Sequence, residues 1–315
     1  MLDLTCVNCH AENPRERLYC RECSSILERR TNLWLRMEEL QTRGDRDALN
    51  LVKSTGILPH LVDQFLLKPR ERKLRELLST QGTPLSASHN LEGVLHESAY
   101  AICLETLPAV YAITMTGPPN AFTFGSKEAP VIVVDRRLME IMGASELRAL
   151  LGHEMGHIKS GHMLYYSLAQ TFAEGVEVSA SLIGLSMISM PMQVALLAWA
   201  RESEFSADRA ALIASGNPSH VVSMFARLAG TSFVPMGEHT SLVDEVAGFF
   251  RTHPNLSERS RAVFEFSKTE QYVSIVNNIA YRRMFRLAFS PICRFCGSTK
   301  SIEETFCPTC DRSQV

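Results

Sequence analysis

Apolar residues recur along this chain in two periods. From Leu27 to about Leu78 they fall at helical spacing: Leu33, Leu35, Met37 and Leu40, then Leu49 and Val52, then Leu61, Phe65 and Leu66. Gly44, Gly56-Ile57-Leu58-Pro59 and Lys68-Pro69 break that pattern into short helices. The basic run Arg70 to Arg75 reads as a solvated helix face. Ser79 to Ser88, with Gly82 and Pro84, reads as a polar linker and a domain boundary. A helix is expected from Leu91 to Leu107. The period then shortens: Val110 to Met115 and Val131 to Val134 are short and β-branched, Phe122-Thr123-Phe124 lies between them, and Gly117-Pro118-Pro119 and Gly125 mark turns. Helical spacing returns with Ser145 as expected N-cap and Leu147, Leu150, Leu151 and Ile158 on one face. Few strands among many helices predict an α+β, mainly helical fold, with a small antiparallel sheet against a helical body.

Val178 to Ala200 carries no charged residue over 23 positions, long enough to span a bilayer. Pro191 interrupts it where a new helix can begin. The expectation is a helical hairpin, one arm from about Leu164 to Ile188 and the next from about Pro191 to Ala214, stopped by Ser215-Gly216-Asn217-Pro218. Such a hairpin is buried, dimerises, or dips into a membrane surface, so peripheral membrane contact stays open.

Composition narrows the function. A length of 315 residues suffices for one large domain with small appendages, and 45% hydrophobic residues is ordinary for a globular protein. A net charge of −2 argues against nucleic acid as partner. The first residues show no secretory pattern, which points to the cytoplasm. Eight of the nine cysteines are paired in C-x-x-C knuckles, Cys6/Cys9 with Cys20/Cys23 and Cys293/Cys296 with Cys307/Cys310. Each set supplies four thiolates for one structural zinc, so a zinc ribbon is expected at each end. Thiolate sites favour a reducing compartment over disulfides. Cys103 is left over and reads as a buried core thiol.

The chemistry centres on His153-Glu154-Met155-Gly156-His157. On a helix, residues four apart share a face, so the two imidazoles can hold one zinc with Glu154 beside it as a base. A third ligand is required. Met163 occupies the position six after His157, where some relatives of this pattern place a histidine. His162, five after His157, would sit roughly 140° away on a continuous helix and is rejected. Glu204 and Asp208, four apart on the later helix, could supply a ligand and an outer partner for a ligand imidazole. A solvated acidic face would show the same spacing.

Gly152 to His157, then Glu204-Phe205-Ser206-Ala207-Asp208 and Thr252-His253-Pro254, resemble the zinc metallopeptidases of family M48, which include HtpX-like and CAAX-prenyl-protease-like enzymes. Asn120-Ala121-Phe122 resembles the edge-strand motif of that family. The resemblance covers roughly residues 90 to 285. It implies a gluzincin-like core with His153, His157 and Glu204 as ligands of a catalytic zinc and Glu154 as general base. It also implies that His253 lies near the reacting carbonyl and that the strand around Asn120 and Ala121 pairs with the substrate backbone; from its place two residues into the helix expected after His253, Arg259 could share the donor role. The expected organisation is a ribbon at 1–27, a helical segment and linker at 28–88, a peptidase domain at 89–287 and a ribbon at 288–315. The expected function is a zinc endopeptidase acting on protein or peptide substrates, in a setting such as protein quality control. The ribbons are expected to dock a protein partner. The competing reading is an inactive zinc-containing scaffold acting through its ribbons, against which the intact Glu154 argues.

Overall fold

Both faces of the central sheet are covered, and strand alternation shows how. A computed structural model describes residues 4–14, 17–27, 33–54, 68–85, 89–115, 119–126, 129–163, 165, 169, 190–231, 256–288, 296, 298 and 306–312. The first strands, β1 (Leu4–Thr5) and β2 (Glu12–Asn13), pair in the N-terminal ribbon. Helices α1 (Met37–Leu40), α2 (Arg43–Ser54) and α3 (Lys68–Gln81) precede the sheet. The sheet holds β3 (Thr83–Pro84), β4 (Ala109–Ile113), β5 (Ala121–Gly125) and β6 (Pro130–Asp135), with α4 (His89–Ala101) between its first two strands. Helices α5 (Arg136–Ile141), α6 (Ala144–Lys159), α7 (Met190–Ser215), α8 (Pro218–Thr231), α9 (Leu256–Ser267) and α10 (Glu270–Ala288) complete the described body.

Side chains two apart on a strand share a face. Val110, Ala112, Ala121, Ile132 and Val134 enter the main core with α4 and α6. Ile113, Phe124, Val131 and Val133 turn to the other face, where Leu78 of α3 covers them. The α+β class holds, but the sheet is mixed, with order β3-β4-β6-β5. Its two central strands, β4 and β6, are parallel, because β5 crosses to the far side of β6 and pairs antiparallel there. That leaves β5 as an edge strand.

Three local expectations need correction. Residues 79–85, the described part of the expected linker, are structured: α3 runs through Gln81, Thr83–Pro84 joins the sheet beside β4, and Leu85 is buried. The helix expected to Leu107 stops at Ala101, where Leu104 N–H reaches back to the Ala99 carbonyl over 2.9 Å and Cys103 takes a φ of 53°. Ser145 lies inside α6. The N-cap is Gly143, whose N–H donates to the Glu146 carboxylate at 2.8 Å.

The N-terminal ribbon is built into the body. Tyr19 and Ile26 are part of the main hydrophobic core. Tyr19 Oη donates to the Leu104 carbonyl at 3.0 Å, Ile26 N–H to Glu105 at 2.8 Å, and Leu107 N–H to Ser24 at 2.9 Å. The first arm of the hairpin, 164–188, lies outside the described residues except at Tyr165 and Ala169; the second appears as α7. Among the described residues, no helix is long and apolar enough to cross a membrane.

Candidate metal centre

Helices α6 and α7 pack closer than ordinary side chains allow, and small residues make this possible. A Cβ built on Gly152 would lie 2.5 Å from the Ala214 Cβ, and one on Gly156 would lie 2.7 Å from the Ala210 Cβ and 3.0 Å from the Ala207 Cα. The two glycines of the Gly152–His157 run therefore set the distance between helices. At that distance His153 and His157 on α6 face Glu204 and Asp208 on α7.

The potential ligand atoms of His153, His157 and Glu204 all lie within 4.8 Å of one another, and all three residues are buried. The two histidine Nε2 atoms are 3.3 Å apart. Glu204 brings Oε2 to 3.6 Å from His153 Nε2 and Oε1 to 3.5 Å from His157 Nε2. Two donors about 2.05 Å from one tetrahedral zinc lie about 3.3 Å apart. The donor set, two imidazoles and one carboxylate, therefore fits zinc in chemistry and in spacing. His162 is not in this cluster: α6 ends at Lys159, and His162 lies beyond the helix.

Each of the two histidines uses its other ring nitrogen. His153 Nδ1 lies 3.0 Å from Asp208 Oδ1. Burial pushes the His153 imidazole down, but the Asp208 and Glu204 carboxylates outweigh it and raise it above its ordinary value. Burial holds the His157 imidazole down at about 4, helped by its neighbouring imidazoles against the pull of Glu204. Burial would likewise raise the Asp208 carboxyl, but Arg259 and His153 hold it below the usual range. Arg259 does this by a bidentate contact, Nε to Oδ2 at 2.8 Å and Nη2 to Oδ1 at 2.6 Å. Its Nη1 lies 3.0 Å from Glu204 Oε2, and its guanidinium stacks on Phe225. The oxyanion role considered for Arg259 is thus corrected: its planar head is engaged with the two carboxylates.

Glu154 is buried on α6 and meets a residue that the sequence reading passed over. Thr123 Oγ1 of β5 donates to Glu154 Oε2 at 2.6 Å. Thr123 stood in plain view between two phenylalanines, and only strand alternation could have turned it toward α6. Ala121, two residues earlier, shares that face and is buried. Asn120 is exposed, and its carbonyl accepts from Asp135 N–H at 2.9 Å. His253 lies outside the described residues.

A model of peptidase family M48 matches residues 86–266, more than half of the chain. The chain belongs to that family. It is 36% identical over 159 residues to the chloroplastic plastoglobule-localized metallopeptidase 48 of Arabidopsis thaliana, covering 49% of this chain and 45% of that protein. Over 201 residues it is 25% identical to a protease HtpX homolog of Ralstonia pickettii, covering 53% and 70% of the two chains. A protease HtpX homolog of Syntrophobacter fumaroxidans is 28% identical over 194 residues, at 49% and 68% coverage. The chain thus spans less than half the length of the plant relative it matches.

The M48 region contains Thr123, His153, Glu154, His157, Glu204, Asp208 and Arg259. Asp45 and both ribbons lie outside it. In the N-terminal ribbon, Cys6 and Cys23 sulfurs are 3.6 Å apart, as are those of Cys9 and Cys20. In the C-terminal ribbon, Cys296 and Cys307 are 3.7 Å apart and Cys310 completes the described cluster, while Cys293 lies outside the described residues. Sulfurs about 2.3 Å from one tetrahedral zinc lie about 3.8 Å apart, so both clusters fit that ion. Three knuckles share one turn. Cys6, Cys20 and Cys307 each accept from the N–H four residues on and donate to the carbonyl five residues on. His10, Ser24 and Asp311, at the turning point, have φ of 61°, 58° and 57°.

Proposed function

We propose that this chain is a zinc-dependent endopeptidase acting on protein or peptide substrates, with His153, His157 and Glu204 as ligands and Glu154 as general base. The observation that carries the reading is the convergence of the two Nε2 atoms and the Glu204 carboxylate beside Glu154, which is tied to the outer strand of the sheet. Zinc held there supplies Lewis acidity to a scissile carbonyl and to the attacking water. Glu154 takes a proton from that water and returns it to the leaving amine. Thr123 donates to Oε2 of Glu154 and fixes the carboxylate.

The outer edge of β5 suits an extended substrate, read through its backbone. Asn120 turns its carbonyl inward to Asp135, so ladder alternation directs the main-chain groups of Ala121 and Thr123 outward. In this reading Ala121 and Thr123 pair with substrate, and Asn120 anchors the strand. His253 remains the candidate donor to the oxyanion, since Arg259 is engaged elsewhere. The two cysteine clusters hold structural zinc.

The test compares two single variants of the full chain on a quenched fluorescent peptide and on casein, with zinc counted by native mass spectrometry. Glu154→Gln should keep the zinc complement of the parent and lose about 10²–10⁴ in activity. Glu204→Gln should lose one zinc and all activity. A zinc-loaded parent that cleaves neither substrate would leave the scaffold reading in place, and parent-like cleavage by Glu154→Gln would remove Glu154 from the mechanism.

A further inference from the structure

His162 and Asp45 are fully buried, and together they form a chain of contacts ending on a proposed ligand. His157 Nδ1 lies 3.1 Å from His162 Nδ1, and His162 Nε2 lies 3.0 Å from Asp45 Oδ2. Asp45 also accepts from Ser206 Oγ at 2.7 Å on Oδ2 and from Trp199 Nε1 at 3.0 Å on Oδ1. It sits on α2, which is locked to α7 by Thr42: the Thr42 N–H donates to Ser206 Oγ at 2.9 Å, and Thr42 Oγ1 accepts from Asp45 N–H at 3.1 Å.

The proton positions follow by elimination. If His157 offers its Nε2 lone pair to a metal, its Nδ1 carries the hydrogen and donates to His162. His162 Nδ1 must then accept, so its own hydrogen is on Nε2 and is donated to Asp45. Only an acceptor at Asp45 permits that arrangement. We infer that Asp45 is a positioning residue for the metal centre: acting through the His162 tautomer, it presents His157 Nε2 to the ion. The segment upstream of the M48 match thus completes the support of the second ligand, as Asp208 supports the first. The inference rests on the proposed ligand role of His157. Outer partners of ligand histidines typically contribute 10–100-fold to metal affinity.

Asp45→Asn keeps the shape and replaces one acceptor oxygen with a donor. Turned toward His162, that donor forces the opposite tautomer and sets two N–H groups against each other at His157. Zinc affinity of the full-length chain is read by chelator competition under native mass spectrometry, with Glu204→Gln as the blank lacking the catalytic ion. Asp45→Asn should weaken that ion by about 10–100-fold. His162→Asn places an amide oxygen where Nδ1 stood, which accepts from His157 whatever lies beyond. In that background, adding Asp45→Asn should change zinc affinity by no more than about twofold. Parent-like affinity in Asp45→Asn, or equal losses in both backgrounds, overturns the relay and leaves the peptidase reading intact. Absence of the Glu204-dependent zinc from the parent removes the peptidase reading itself. Should Asp45→Asn fail to fold, ¹⁵N-histidine spectra of the zinc-loaded parent decide: His162 carrying its hydrogen on Nε2 supports the relay, and on Nδ1 refutes it.

Discussion

The hydroxyl of Thr123 and the carboxylate of Glu154 meet at 2.6 Å, so the outer strand of the sheet touches the proposed base directly. A hydrogen bond to a charged group contributes about 1.5–3 kcal/mol. Thr123→Val, nearly the same shape, should therefore lower kcat by about tenfold or more while zinc content stays at the parent value. Thr123→Ser should restore most of the loss. Steady-state kinetics with parallel metal analysis check this; a Val variant as fast as the parent would show the contact to be incidental.

The contact between α6 and α7 gives a second expectation. Gly156→Ala places a methyl 2.7 Å from the Ala210 Cβ, so the helices must part. Overpacking of this kind costs about 1–3 kcal/mol. The loss should appear as a lower Tm together with weaker zinc binding, because Glu204 rides on α7 one turn from Ala207. Pairing Gly156→Ala with Ala210→Gly should recover part of both. Unchanged zinc affinity in a destabilised single variant would separate packing from ligand placement.

Arg259 faces two buried carboxylates, Glu204 at 3.0 Å and Asp208 at 2.6 Å. Removing one partner of a buried pair costs about 3–5 kcal/mol, because the other charge stays buried. Arg259→Met should thus be strongly destabilised near neutrality. The Asp208 carboxyl is held below its ordinary value in the parent, so its contribution is present above the unfolded-state pKa and lost as pH falls through the folded one. The deficit of the variant should accordingly shrink in acid. Urea unfolding of both proteins across the acid range would show it, and a constant deficit would place the effect in packing on Phe225.

The N-terminal ribbon carries Tyr19 and Ile26 into the main core, so its zinc should stabilise the body as a whole. Replacing Cys6 and Cys9 with Ser should remove one zinc and lower the single unfolding transition seen by calorimetry. Two separate transitions would mean that the ribbon folds on its own. Full metal occupancy of the parent should be about three zinc ions per chain.

What could be read from the sequence was what metal chemistry imposes on spacing. Two imidazoles four apart, a carboxylate on a later helix and paired thiolates can be seen without knowing the fold. Contacts set by tertiary packing could not. Asp45 and His162 are 117 residues apart, and each alone looks like an ordinary polar residue. His162 was measured against a helix that ends before reaching it. Thr83 and Pro84 resemble a linker because a two-residue edge strand has no period to detect. Cys103 ends α4 in a conformation usually left to glycine, so no stop signal marks it. The parallel pairing of β4 with β6 depends on where β5 crosses, which local pattern does not reveal.

The division of the proposed metal ligands between α6 and α7 also orders events during synthesis. Glu204 lies 47 positions after His157, and Arg259 a further 55, so a ribosome releases the histidine pair and the base well before the groups that complete and brace the centre. Until α7 has docked along the glycines of α6, the proposed centre lacks its carboxylate. In the proposed peptidase, competence to hydrolyse would arrive only with the folded state.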